Sequence, residues 1–185
     1  MDWEGNPTGA SQYGPQRSLR PSSEVLLHLE AYRQRPDAQA VIHAHPPIAI
    51  ALSIAGISLA RCLLPEIVLS FGLIPTTEYA TPASAEGVGV ISDLIRRYDA
   101  LILQRHGSVT LGPTVTDAYL KLEKLEQAAL ITKTVVELGR EKPFPQEEIA
   151  KLVQWRGDAG LMRPGQADDL CAACGVCELL GRKGC

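Results

Sequence analysis

Apolar residues at Val25, Leu26, Leu29 and Tyr32 follow Pro21-Ser22-Ser23-Glu24 at helical spacing. The pattern predicts a first helix with a serine N-cap, ended by Pro36-Asp37. Residues 38–44 alternate and run apolar, which reads as a strand. Pro47 suits the first turn of a second helix that carries Ile48, Ala51, Leu52 and Ala55 on one side. From Leu63 to Tyr79 the pattern gives short strands and turns, and Ser84 to Tyr98 an amphipathic helix. Short strands at Leu101-Ile102-Leu103 and Val109-Thr110-Leu111 flank Arg105-His106-Gly107. Thr116 is expected to cap a long helix running to about Gly139, and a further helix spans Pro145 to Arg156. Strands interleaved with helices imply a layered α/β domain. Residues 1–20, rich in Gly, Pro, Ser and Gln, read as an irregular arm, residues 21–156 as the domain, and residues 157–185 as a Gly- and Cys-rich tail.

The 185 residues suffice for one domain with a sizeable core, and 45% hydrophobic against 21% charged residues is a globular balance. A net charge of −3 argues against a general nucleic-acid binder. The longest apolar run, Pro46 to Ala60, is too short to span a bilayer, and no signal peptide opens the chain. A cytoplasmic protein with no membrane and no nucleic-acid partner is expected.

The chemistry concentrates at Ala40-Val41-Ile42-His43-Ala44-His45-Pro46-Pro47. Alternate residues of a strand face one side, so His43 and His45 form a ready pair of ligands for a divalent transition metal. His106, at the end of another buried strand, supplies a third imidazole, and Gly107 is expected to let the chain turn sharply there. Three histidines with an open position match a catalytic rather than a structural metal. His28, inside the first helix, reads as a packing or surface residue. A cupin would need a glutamate where Ala49 and Ile50 stand, and an amidohydrolase barrel would need a far longer chain.

Taken together, Pro-Ser-Ser-Glu at 21–24, His-Ala-His-Pro at 43–46 and Arg-His-Gly at 105–107 resemble the class II aldolase/adducin family, over roughly residues 20 to 150. The resemblance implies a three-layer α/β/α domain with a central, mainly antiparallel sheet. It implies that His43, His45 and His106 bind Zn2+ or another divalent metal, that Glu24 moves the proton during turnover, and that Ser22 and Ser23 hold a substrate phosphate. The implied function is a zinc-dependent aldolase that cleaves a small sugar phosphate such as L-fuculose 1-phosphate into dihydroxyacetone phosphate and an aldehyde, working as a homo-tetramer. Alternatives in the family are a pentulose-phosphate 4-epimerase, whose members look like Pro-Ser-Ser-Asp where Glu24 stands here, and a sugar-phosphate dehydratase. The chain also looks N-terminally truncated beside the family, which would leave the phosphate pocket incomplete and make a metal-binding protein without activity, or an adducin-like interaction module, a further alternative.

Glu66, in Leu64-Pro65-Glu66, falls near where some members place a tyrosine acid, although a surface role fits it equally. Cys171, Cys174, Cys177 and Cys185 crowd the end of the chain, which reads as a feature of the tail alone: a small metal site or, preferably, an unstructured reduced segment.

Overall fold

The computed structural model describes residues 1–6, 8, 21–142 and 144–181. Most of the arm expected over 1–20, and Cys185, lie outside the described residues. The elements, in chain order, are α1 (Val25–Gln34), β1 (Ala40–Ala44), α2 (Pro47–Ile54), α3 (Pro65–Phe71), α4 (Ala85–Arg97), β2 (Ala100–Leu103), β3 (Gly107–Gly112), α5 (Val115–Leu138), α6 (Gln146–Asp158) and α7 (Gln166–Cys174).

The sheet has the order β1-β3-β2, and both pairings are antiparallel. β1 and β2 therefore run the same way and end at the same edge, where β3 begins between them. Alternation sends Val41, Leu101, Leu103, Val109 and Leu111 to one face, where they are buried with Leu27 and Ala31 of α1 and Ile91 and Ile95 of α4. Ala100 and Ile102 go to the other face, against Ala49 and Leu52 of α2 and Leu125, Ala128 and Ala129 of α5. Two helical layers thus enclose one antiparallel sheet, the three-layer α/β/α arrangement.

Several boundaries differ from the pattern. Residues 65–71, expected as strand and turn, form α3, because Pro65 occupies the first turn and Ile67, Val68 and Phe71 are all buried. Between α3 and α4 only an isolated parallel bridge, Thr76 to Ile102, is strand-like. α5 is capped by Thr114 rather than Thr116: the Thr114 hydroxyl accepts the Asp117 N–H at 3.1 Å, which starts the helix at Val115. The tail is structured where described. Leu170 and Val176 are buried in the main core, and Cys62 and Cys174 are joined by a disulfide with Cα atoms 5.7 Å apart, an ordinary span. The cysteines are therefore not a feature of the tail alone.

At the sheet edge away from the histidines, buried Arg35 gathers the ends of three elements. It donates to both oxygens of Asp37 at 2.9 Å, to Asp99 at 2.7 Å, and to the Ile95 and Tyr98 carbonyls. Lys121 and Arg163 also pair with Asp99. Burial pushes the Asp99 carboxyl up, but Lys121 and Arg35 outweigh it and hold the group below its ordinary value. The Arg35 guanidinium beside Asp37 holds that carboxyl far below the usual range. Carboxylates depressed on folding stabilise the protein above their unfolded pKa of about 3.9, and that stability disappears as pH falls through the folded values. Arg35→Met should cost on the order of 3 kcal/mol, as for a buried pair that loses one partner. Urea unfolding should show the gap between wild type and variant at pH 7 narrowing below about pH 4.

Candidate metal centre

The three histidines arrive from two strand ends. His43 is in β1, His45 lies one residue past its end, and His106 sits in the β2–β3 turn. Arg105 makes that turn with φ of 60°, its N–H donated to the Ser53 hydroxyl at 3.0 Å, and the His106 N–H bonds to the Leu103 carbonyl. The sharp turn expected at Gly107 is therefore carried by Arg105. Gly107 matters for a different reason. It opens the central strand on the face that the histidines occupy, and a Cβ there would stand 2.5 Å from the Ala44 carbonyl oxygen and 3.0 Å from the rings of both His43 and His45. Only a residue without a side chain lets the imidazoles close over this strand.

Ring centroids are 4.8 Å apart for His43–His45, 4.9 Å for His43–His106 and 5.2 Å for His45–His106. One ligand atom from each lies within 4.8 Å of the others. Nδ1 of His43 stands 3.0 Å from the Ser108 carbonyl, which can only accept, so Nδ1 carries the proton and Nε2 presents its lone pair. That Nε2 is buried without a hydrogen-bond partner among the described residues. An orphaned, lone-pair nitrogen among two more imidazoles fits a cation, and a backbone carbonyl behind a metal-ligating histidine is the usual outer support. Burial holds His43 below the ordinary imidazole range, and burial does the same to His106. Both are thereby kept in the neutral form that ligates metal. Glu24 pulls the other way on each, which places its carboxylate within electrostatic reach of the cluster.

Glu24 and His106 line one cleft with Ser23, Thr77, Gln104 and the turn from Thr81 to Ser84, enclosing about 410 Å³, part of it open to solvent. Ser22 and Ser23 are exposed at the α1 start. The helix N-cap is Glu24, not a serine, and the Ser22 hydroxyl accepts the Glu24 N–H at 3.2 Å. The N–H groups of Val25 and Leu27 are already bonded to the Ser22 and Glu24 carbonyls. His28 is half-buried on α1, and burial lowers its pKa. Glu66 is exposed in the first turn of α3, outside the cleft. The Thr81–Ser84 rim was missed by the pattern, although Ser84 and its cap on Gly87 N–H were legible as a helix start. Ala83, in that rim, holds φ at 59°.

This fold, with its imidazoles gathered at the sheet edge, is that of the class II aldolases. The chain belongs to the class II aldolase and adducin family: the model of the Class II Aldolase and Adducin N-terminal domain matches residues 1–132. It is 35% identical over 121 residues to an L-fuculose phosphate aldolase of Methanococcus vannielii, covering 65% of each chain. It is 32% identical over 127 residues to a 3-oxo-tetronate 4-phosphate decarboxylase of Pectobacterium atrosepticum, covering 66% of this chain and 57% of that one. A solved L-fuculose 1-phosphate aldolase superposes with a TM-score of 0.71 at 26% identity, over 84% of this chain and 69% of that structure. The match thus spans less than two thirds of these two curated relatives. No helix among the described residues is long and apolar enough to cross a membrane.

Proposed function

We propose that the protein is a zinc-dependent aldolase that cleaves a phosphorylated ketose, of which L-fuculose 1-phosphate is the first candidate, into dihydroxyacetone phosphate and an aldehyde. The observation that carries this reading is His43, whose buried Nε2 has no hydrogen-bond partner among the described residues while its Nδ1 is fixed by Ser108 and two further imidazoles stand beside it.

His43, His45 and His106 would hold the metal. When bound, the ion supplies positive charge that polarises substrate oxygens and favours the enediolate left when the carbon–carbon bond breaks. Glu24, across the cleft, takes the proton from the substrate hydroxyl as the bond breaks and returns one to carbon. The Ser22 and Ser23 hydroxyls donate to the phosphate, and its binding energy helps fix the reacting carbons in place. Assembly as a homo-tetramer is supported by the exposed apolar side chains of α5, among them Val115, Tyr119, Leu130 and Leu138.

The decarboxylase relative supports a second reading, loss of carbon dioxide from a 3-oxo acid phosphate, which also cleaves a bond beside a carbonyl. Two assays separate them. Zinc-loaded protein given L-fuculose 1-phosphate should release dihydroxyacetone phosphate, measured by coupled reduction. Release of carbon dioxide from 3-oxo-tetronate 4-phosphate, with no ketose cleavage, selects the second reading. Turnover of neither compound by protein that has taken up zinc contradicts both.

A further inference from the structure

His43 and His106 are held from within the sheet, by the Ser108 carbonyl and by the hairpin turn. His45 is not. It lies beyond the last rung of the β1–β3 ladder, Ala44 to Ser108, and is exposed. Among the described residues no hydrogen bond reaches its ring. Something else must fix the chain from which it projects.

After His45 come Pro46 and Pro47, neither with an N–H and each with φ held near −65°. Pro46 is the N-cap of α2 and offers no side-chain cap. The first amides of α2 that need a partner are therefore Ile48 and Ala49. Both find the same one: Glu126, from the middle of α5, accepts the Ile48 N–H at 2.8 Å on one carboxylate oxygen and the Ala49 N–H at 3.0 Å on the other. Ala49 has no exposure at all and Pro46 is buried, so water is a poor substitute. Two charge-assisted bonds onto the positive end of a helix make a strong grip. Two prolines of fixed φ separate that grip from His45.

We propose that Glu126 is the positioning residue of the metal centre: its carboxylate, bonded to the Ile48 and Ala49 amides, sets the Pro46-Pro47 corner and through it the reach of His45 toward His43 and His106. This rests on the reading of the three histidines as a metal site. Glu126 touches neither metal nor substrate in this role, and its removal should loosen one ligand of three.

The test uses Co2+, whose visible absorption reports ligand geometry, on the whole protein and on Glu126→Ala, Glu126→Gln and Ile95→Val. Ile95 is a fully buried α4 residue on the opposite helical layer, so Ile95→Val lowers stability without touching the corner. Chelator competition should show Glu126→Ala losing about 10–100-fold in Co2+ affinity, the range for outer support of a metal ligand. Its absorption bands should shift. Glu126→Gln keeps one acceptor oxygen and should lose less, so it serves if the alanine variant does not fold. Ile95→Val should keep affinity and spectrum even where its melting temperature falls as far. Wild-type affinity and spectrum in Glu126→Ala, or an equal loss in Ile95→Val, overturns the proposal and leaves the metal reading standing. No Co2+ uptake by the unmodified protein overturns both.

Discussion

Glu24→Gln should lower turnover by about 10²–10⁴-fold while metal content stays at the wild-type level. Glutamine keeps the shape of the side chain and can still line the cleft beside His106, but it cannot take up and return a proton. Serving only as a carboxylate at a helix start, Glu24 would contribute about 0.3–1 kcal/mol of stability and nothing to rate. Steady-state kinetics with metal analysis on the same preparation separates the two roles. Unchanged turnover removes Glu24 from the mechanism.

Gly107→Ala should be the most damaging single-methyl substitution at the site. The new Cβ would meet a backbone oxygen at 2.5 Å and two imidazole rings at 3.0 Å. The carbonyl belongs to Ala44 in β1 and cannot swing aside as the end of a flexible side chain would. Overpacking of this kind typically costs about 1–3 kcal/mol and shifts the backbone. Here the shift falls on His43 and His45, so metal affinity should drop together with the urea midpoint. An alanine variant that melts and binds zinc as wild type does would show that the strand ends yield more than their packing implies.

The parts legible in the sequence are those set by local period and local chemistry. The alternation of residues 38–44 put His43 and His45 on one side, and the strand ahead of His106 was read from Leu101-Ile102-Leu103. α4 carried its own start signal at Ser84, and Gly139, in the left-handed conformation, closes α5 where the pattern ended it. α3 left too short a trace: in seven residues Glu66 and Ser70 on one side and Ile67, Val68 and Phe71 on the other make barely two turns, which a strand-and-turn reading absorbed. α7 was hidden because the Gly- and Cys-rich composition read as an unstructured tail, or else as a small metal site, whereas Leu170 and Cys171 are buried on one side of a helix. The reason for Gly107 was misread, since a missing side chain can serve a turn or a close approach, and only the positions of Ala44, His43 and His45 decide which. Glu126 could not be found locally. It is one carboxylate among many on a 24-residue helix, and its partners lie 77 and 78 positions away in the chain.

The central claim is that His43, His45 and His106 form one metal centre, and metal content tests it most directly. Protein purified, stripped with chelator, reloaded with zinc and desalted should carry one ion per chain by elemental analysis. His106→Ala, which leaves two ligands, should weaken binding by more than the roughly 10–100-fold of an outer-support change. Retention of one tightly held zinc in a variant lacking all three imidazoles, or none in the unmodified protein, would contradict the account.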